Sequence, residues 1–434
     1  MKLHLVIKLR KGVAFKEPPH WSTVIRDGQV GLAVFCSPID EFFRRYNIPV
    51  LITAEYLKEG PDWPEEAIAN GFDRIVRVVL LENTPISSEQ LQELAEIEGG
   101  RIVEFVHQGK IERAPIPDFS AAQTMARTEH AHGMIHLKEA HEQFTMGHPD
   151  ITVAVLDTGV DLSHPELQHC LLPGFDFVDI LDGAGKFFGD YLGVDDDAGD
   201  EKVGHGTHVA GIIAAKGINM PVGVAPRCKI LPVRVLGAMK QDDAFVGAGL
   251  VDNINNGIKW AVDRGVDVIN MSLGIRHTGG GLPHQEVVEY AKSKGVSLVA
   301  ASGNDGTGEL YYPGALPHAM AVGALDEQEE VAPFSTHGKV SFVAPGTRIY
   351  SAYLRNGYAF SSGTSQASPF LAGLVALLKS YALEHGRRLT DEQLKYVLRY
   401  TSDRLTTQLK DPRSGFGLIN VIDACKLLKN KLKL

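Results

Sequence analysis

The sequence predicts an α/β protein, with a mostly parallel, doubly wound sheet and a small α/β domain in front of it. Two observations support this prediction. Beyond about residue 125, near-continuous runs of Val, Ile and Leu alternate with amphipathic segments, as expected for parallel strands covered by helices on both faces. Before about residue 110, shorter segments alternate apolar with polar residues. We therefore predict a small domain at 1–117 and a large domain at 118–434.

The composition is ordinary for a soluble globular protein. The chain has 434 residues, of which 44% are hydrophobic and 22% charged, and its formal net charge is −10. This acidic balance argues against nucleic acid as a partner. The start, "MKLHLVIKLRKG", lacks the unbroken apolar core of a secretory signal, and no apolar run is long enough to span a membrane. We expect a cytoplasmic protein with no membrane partner and reduced, scattered cysteines, with non-classical secretion as the alternative.

The first domain shows strand and helix patterns in alternation. In "KLHLVIKLR", Leu5 and Ile7 lie on one face of a strand, with His4 and Lys8 on the other. Helix 37–47 has Ser37 as a possible cap, and helix 87–100 begins with a capping box of Ser87 and Gln90. Further strands are predicted at 73–82 and 101–113. Prolines 115 and 117 then indicate a linker around 114–123.

The second domain alternates strands and helices along the chain. Strands are predicted at 150–160, 228–236, 266–274, 296–304 and 319–325, and helices at 205–215, 248–265 and 284–295. In "FSSGTSQASPFLAGLVALL" a further helix is predicted to begin near Ser365, with Pro369 in its first turn, where a missing N–H costs little. The functional residues of such a sheet are expected at the carboxyl ends of its strands.

Four polar residues lie at predicted strand ends or at the helix starts that follow the strands. Asp157 and Asn304 end apolar strands, while His205 and Ser365 stand at helix starts. Singly, each has a structural explanation as a turn former or a helix cap. Together they supply a carboxylate, an imidazole, a hydroxyl and an amide donor. That is the set required to activate a serine nucleophile and to stabilise the resulting oxyanion.

Their motifs occur in one order along the chain. They are "VAVLDTGVDLSHPEL", "GHGTHVAGIIAA", "INMSLG", "AASGNDG" and "SSGTSQASPFLAG". From Met125 to Leu434 the chain resembles the subtilisin-like serine peptidases, the subtilases. The resemblance implies that Ser365 is the nucleophile, His205 the general base and then acid, and Asp157 the residue that orients it. It further implies that the Asn304 side chain and the Ser365 backbone N–H bind the oxyanion.

The resemblance also suggests where a peptide substrate binds. Ser272, Leu273 and Gly274 resemble the family's segment that binds substrate as an added strand. Asp305, Glu309 and Tyr311 resemble a wall of the primary pocket: Tyr311 would shorten the pocket and the two acids would favour a basic residue, unless all three are solvated loop residues. The family commonly has Met-Ala-Ala or Met-Ala-Thr where this chain has Gln366-Ala367-Ser368, which we interpret as a local packing difference. His208 is expected to be structural.

No cofactor is needed for this chemistry, but structural calcium is a possibility. Carboxylates crowd the loop before His205, at Asp190, Asp195, Asp196, Asp197 and Asp200. Calcium takes six to eight oxygen ligands, and several members of the family bind it in this region. A solvated acidic loop is the alternative interpretation. The loop "KGINMPVGVAP", at the family's other frequent calcium site, is poor in oxygen ligands.

The first domain permits two interpretations. Subtilases often carry an N-terminal propeptide that assists folding, occupies the substrate cleft and is cut off. We favour this interpretation for 1–117 and place the processing site around 119–128, because the prolines at 115 and 117 obstruct cutting beside them. The alternative is a permanent recognition domain for a partner or precursor peptide.

Two other functions are considered for the chain as a whole. A less favoured alternative is an inactive subtilase fold that only binds. An α/β-hydrolase esterase is excluded by the residue order and by "GTSQA" at the serine.

Overall fold

The computed structural model describes residues 3–27, 29–82, 85–113, 120–121, 129–178, 187–188, 194–241, 244–276 and 282–432. The predicted boundary at 117/118 and most of the predicted linker and processing site lie outside the described residues, so these remain predictions. Within the described part of the chain, no helix is long and apolar enough to cross a membrane.

The N-terminal part is built around an antiparallel sheet. Its elements are β1 (His4–Leu9), α1 (Trp21–Asp27), α2 (Ser37–Arg45), β2 (Val50–Ala54), α3 (Glu65–Asn70), β3 (Ile75–Leu80), α4 (Ser88–Ala95), α5 (Ile97–Gly100), β4 (Val103–Gln108), β5 (Ile111–Arg113) and β6 (Ser120–Ala121). The strand order β2-β3-β1-β4 makes one four-stranded sheet. The capping box of Ser87 and Gln90 is present at α4, whereas Ser37 is the first residue of α2 and Cys36 occupies the cap position.

The larger part follows the predicted alternation. Its elements are α6 (Glu129–Met134), α7 (Leu137–Gln143), β7 (Thr152–Asp157), β8 (Phe175–Asp176), β9 (Phe187–Phe188), α8 (His205–Ala214), β10 (Lys229–Arg234), β11 (Gly237–Gln241), β12 (Ala244–Leu250), α9 (Val251–Asp263), β13 (Val268–Met271), β14 (Ile275–Arg276), α10 (Gln285–Ser293), β15 (Ser297–Ala301), β16 (Tyr311–Tyr312), β17 (Ala319–Leu325), β18 (Phe342–Pro345), β19 (Ile349–Tyr353), β20 (Gly357–Ser361), α11 (Thr364–Glu384), α12 (Asp391–Thr401) and α13 (Val421–Leu432).

A parallel sheet forms the centre of this part, in the order β18-β17-β15-β13-β7-β10-β8. Its strands are buried on both faces, as β7 shows. Val153 and Val155 pack in the core that contains α8 and α11, and Ala154 and Leu156 pack in the core that contains α9 and α10. The predicted doubly wound α/β fold is therefore confirmed, and the strand ends of β7, β13 and β15 lie side by side.

A β-hairpin follows β10 that was not predicted from the sequence. Strands β11 and β12 pair with each other, so the helix predicted from residue 248 begins only at Val251. The strand predicted at 101–113 is broken after Gln108. Its first part, β4, joins the N-terminal sheet, and its second part, β5, pairs antiparallel with β12, placing Ile111 opposite Leu250 and Arg113 opposite Ala248. Strand β6 pairs antiparallel with β20, just before α11.

The N-terminal sheet packs against α9 and α10. All six residues of β1 are buried, because one face lies in the domain's own core while Val6, on the other, packs in the cluster that contains Ile254 of α9. Polar contacts reinforce this packing. The buried Arg77–Glu55 ion pair has N–O distances of 2.7 Å and binds two asparagines of α9. His4 and His107 both contact the buried carboxylate of Asp252, at 2.8 and 3.2 Å.

Candidate active site

A buried acid–base pair lies where β7 ends and α8 begins. Asp157 is the last residue of β7, and His205 is the first residue of α8. His205 Nδ1 lies 2.7 Å from Asp157 Oδ1, and both side chains are fully buried. Since a carboxylate only accepts, Nδ1 carries the proton and Nε2 of the neutral ring is the basic nitrogen. Among the described residues Nε2 has no hydrogen-bond partner.

The pKa of this histidine reflects its neighbours. Burial opposes protonation of His205, but the charge of Asp157 and its hydrogen bond outweigh it, with a smaller contribution from Asp200. The pKa of His205 is consequently raised above its ordinary value. The ring is therefore a stronger base than a solvated histidine, which suits the removal of a hydroxyl proton.

Ser365 is the second residue of α11. Pro369 lies in the second turn of this helix, not in the first as predicted, so the Ser365 carbonyl lacks its usual partner four residues on. The Ser272 hydroxyl replaces that partner, donating to the Ser365 carbonyl oxygen at 2.8 Å. The Ser365 hydroxyl in turn donates to the Ser272 carbonyl at 3.1 Å. Within the described part of the chain, no hydrogen bond joins Ser365 to His205 directly.

Asn304 follows β15 and caps α11 from outside the helix. Its Oδ1 accepts both the backbone N–H and the hydroxyl of Thr364, at 2.9 and 2.8 Å. These two bonds determine how the amide is oriented, because only the oxygen can accept them. Nδ2 therefore points away from Thr364. An ideal Cβ placed on Gly363 would lie 3.0 Å from Nδ2 and 3.7 Å from the backbone N of Ser365, so both N–H groups border the same glycine.

The geometry agrees with what comparison with known proteins shows. A model described as the subtilase family matches residues 148–417. This chain belongs to the subtilase family. It is 39% identical over 266 residues to the thermophilic serine proteinase of Bacillus sp. (strain AK1), covering 60% of this chain and 59% of that protein. It is 41% identical over 251 residues to the major intracellular serine protease of Bacillus subtilis (strain 168), covering 56% of this chain and 72% of that protein.

A solved structure resembles the fold as well. The prenylagaramide maturation protease PagA matches with a TM-score of 0.55 and 29% sequence identity, covering 69% of this chain and 99% of that one. The family match and this structural similarity agree with the doubly wound fold described above.

The predicted primary pocket of this subtilase contains an aromatic ring. An ideal Cβ on Gly303 would lie 2.8 Å from Tyr311 Cδ2, and one on Gly274 would lie 3.4 Å from Cδ1, so the ring lies between the two glycines. The Tyr311 hydroxyl donates to Asp305. Glu309 forms an ion pair with Arg276, and both are exposed. Both carboxylates of the predicted specificity set therefore already have partners within the protein.

The aspartates of the acidic loop before His205 differ in burial and in the hydrogen bonds they accept. Asp200 is buried, and it accepts hydrogen bonds from the Thr158 hydroxyl and from backbone N–H groups, including those of Val203 and Gly204. It thereby fixes the turn that precedes His205, a role that the sequence does not indicate because Asp200 is one of several closely spaced acids in the loop. Asp195 and Asp197 each accept a backbone N–H two residues further along.

Calcium binding at this loop stays a prediction. Among the described residues there is no group of three or more His, Cys, Asp or Glu side chains that is placed to hold a metal ion, and Asp190 lies outside them. The second loop, "KGINMPVGVAP", directs N–H groups inward. The buried Glu166 carboxylate accepts hydrogen bonds from Gly217, Ile218 and Asn219 at 2.7 to 3.0 Å. A carboxylate thus organises this loop through backbone donors.

His208, expected to be structural, is fully buried, and Nε2 lies 3.1 and 3.2 Å from the carbonyl oxygens of Ile349 and Ala359. Burial, together with the nearby charge of His205, lowers the pKa of His208 to about 3. It therefore stays neutral under ordinary conditions.

Proposed function

We propose that the chain is a serine endopeptidase that acts through Asp157, His205 and Ser365. The observation that carries the proposal is the buried Asp157–His205 pair, whose Nε2 lacks a partner among the described residues, at the sheet edge where α11 presents Ser365. A buried carboxylate behind an imidazole stabilises the charged ring that forms when the ring accepts the hydroxyl proton.

The proposed reaction has two steps. Ser365 Oγ attacks the carbonyl carbon of the scissile bond, its proton passes to His205 Nε2, and the carbonyl π pair becomes an oxyanion. Asn304 Nδ2 and the Ser365 backbone N–H donate to that oxyanion. The tetrahedral intermediate then expels the amine, which takes the proton from His205, and an ester on Ser365 remains. Water, deprotonated by His205, hydrolyses this ester and restores the serine.

The substrate is expected to bind as an extended strand along β12 and residues 272–274. An exposed strand edge supplies backbone donors and acceptors to any peptide, whatever its sequence. The pairing of β5 with β12 supports this proposal, because a segment of this chain uses that edge in the same way.

We further propose that the N-terminal domain is an intramolecular inhibitor and propeptide. Three features support it: the domain packs on α9 and α10, β5 occupies the edge of β12, and β6, which lies just after the domain in the predicted processing site, pairs with β20 beside α11. His205 is fully buried and Ser365 is 1% exposed, so neither is accessible to a second peptide. A permanent recognition domain is the alternative, and an inactive binding protein is a less favoured one.

The intact mass of purified protein over time tests both proposals, with Ser365→Ala beside the unaltered chain. We expect only the unaltered chain to lose about 115 to 125 N-terminal residues and to gain activity on a peptide substrate as it does so. If both proteins keep all 434 residues and only the unaltered chain cuts peptides, the domain is a permanent part of the enzyme. If neither protein cuts peptides under any condition that removes the domain, the inactive fold is the correct interpretation.

A further inference from the structure

Next to the nucleophile stands a glutamine that the reaction outlined above does not use. Gln366 is the third residue of α11 and is fully buried. Neither Oε1 nor Nε2 of its side chain has a hydrogen-bond partner among the described residues. A buried amide without partners costs about 1 to 3 kcal/mol for each unpaired group, so packing alone gives no reason to keep it.

The position of this amide relates it to the proposed oxyanion donors. An ideal Cβ on Gly363 would lie 2.9 Å from Gln366 Oε1, 3.0 Å from Asn304 Nδ2 and 3.7 Å from the Ser365 backbone N. Three amide groups thus converge beside one glycine, and a Cβ at position 363 would be in tight contact with the side-chain ends of Gln366 and Asn304. Two of the three are the groups expected to donate to the oxyanion.

The orientation of the Gln366 amide is open to change. The oxygen and nitrogen of a glutamine side chain have nearly the same shape, and the hydrogen bonds around them decide which way they point. No described residue determines that choice for Gln366. A half-turn of the terminal amide places an N–H donor where Oε1 now lies, on the side of Asn304 Nδ2.

We infer that Gln366 is a catalytic residue, donating a third hydrogen bond to the oxyanion of the tetrahedral intermediate. This inference rests on the proposed serine endopeptidase activity. The carbonyl oxygen gains its negative charge when Ser365 Oγ adds to the carbonyl carbon, and it then accepts the Gln366 N–H, which has no acceptor among the described residues. For Gln366, this proposal is an alternative to the packing difference predicted from the sequence Gln366-Ala367-Ser368.

The test compares Gln366→Met with the unaltered enzyme, because methionine has a similar volume and no amide. A donor used only in the transition state affects kcat and leaves substrate binding in place. We expect kcat on a peptide amide substrate to fall roughly 10- to 100-fold, with KM changed less than about twofold. We expect binding of a peptide aldehyde, whose adduct with Ser365 imitates the intermediate, to weaken in parallel. The melting temperature should rise, since an unpaired buried amide is removed.

Three variants make the result interpretable. Asn304→Ala provides the reference for loss of an oxyanion donor, and Gln366→Glu removes the donor while keeping the shape of the side chain, so its kcat should fall at least as far. Gln168→Met alters an exposed glutamine and should leave kcat unchanged.

The opposite pattern overturns the inference. If Gln366→Met keeps its kcat and loses thermal stability, the side chain only fills space. Ser365→Ala separates the two possible failures. Hydrolysis that persists without the serine hydroxyl contradicts the proposed function, whereas hydrolysis that needs Ser365 and is indifferent to Gln366 overturns this inference alone.

Discussion

A single ion pair sets the protonation of the proposed base. Because the Asp157 carboxylate raises the pKa of His205, the ring is protonated and inactive over a wider range of acidic pH than a solvated histidine. Without that charge, burial would push the same pKa downward. The carboxylate thus makes the base stronger and, at the same time, moves the onset of activity to higher pH.

The pH profile of kcat/KM checks whether the charge of Asp157 outweighs burial in setting the pKa of His205. We expect activity to rise with pH through a pKa above about 6.5, the ordinary value for histidine, since only neutral His205 accepts the Ser365 proton. Asp157→Asn should lower kcat by roughly four orders of magnitude, because the wrong tautomer is then stabilised. Glu139→Gln alters an exposed carboxylate outside every predicted site and should leave the profile unchanged. A profile with its midpoint well below 6 would contradict the expected shift.

Tyr311 is the residue that we expect to limit the side chain before the cleaved bond. Its ring lies between Gly274 and Gly303, so we expect the predicted pocket to accept only a small substrate side chain. Replacing it with Gly should raise kcat/KM for Phe relative to Ala at that position by about 10-fold or more, since added apolar contact contributes roughly 1 to 3 kcal/mol. Tyr311→Phe keeps the ring and should retain the preference for small residues.

Two results would oppose this expectation. An unchanged ratio in Tyr311→Gly would show that the ring moves aside when substrate binds. A strong preference of the unaltered enzyme for Lys or Arg would show that Asp305 and Glu309 determine specificity instead. These carboxylates would then exchange their present partners, Tyr311 and Arg276, for the basic side chain of the substrate.

At the scale of elements, strong periodicity made most of the fold predictable. The sequence correctly predicted strand β7, whose apolar residues are continuous. It also correctly predicted helix α8, which begins at a histidine flanked by glycines. The β11–β12 hairpin was missed because its residues, "GAMKQDDAFVGAGL", alternate weakly and contain three glycines. They are strands because they pair with each other, and with β5 and β9.

Contacts with other parts of the chain also explain what the sequence failed to predict around Ser365. The sequence predicted that α11 begins near this residue, and it does. It did not predict that Pro369 lies in the second turn, because the substitute donor, Ser272, comes from another strand end. Nor could the sequence predict that the Gln366 amide has no partner among the described residues, because only the folded structure shows which groups surround it. Its signal in the sequence was the departure from the family's Met.

At the scale of the whole molecule, the contact between the two parts was the least predictable feature. The alternation of β1 predicted one apolar face, and His4 on the other face was expected to be opposite the core. In the fold this second face is also buried, against α9, and His4 contacts Asp252. Sequence periodicity describes one element at a time, so it does not show which surface a second domain will cover.

This contact contains a histidine, His107, whose pKa is shifted by its surroundings. Burial opposes protonation of His107, but the hydrogen bond and charge of Asp252 outweigh it, with smaller contributions from Glu286 and Glu55, and the pKa of His107 is raised. His4 lies on the other oxygen of the same carboxylate, and Lys110 and His284 line the same small cavity. A raised pKa contributes stability that is fully present below the pKa of the undocked histidine, about 6.5, and that is lost as the pH rises through the docked value.

We therefore expect the N-terminal domain to be held more tightly at pH 6 than at pH 8.5. In the Ser365→Ala background, which prevents cleavage, Asp252→Asn should lower the melting temperature most at pH 6, by a few degrees, and less at pH 8.5. His107→Gln should remove most of this difference between the two pH values, whereas His130→Gln, an exposed histidine of the larger part, should preserve it. If Asp252→Asn costs the same stability at both pH values, protonation of His107 does not contribute to docking, and the domain is held by its apolar contacts and by other polar contacts, such as those of Arg77 and Glu55 with Asn253 and Asn256.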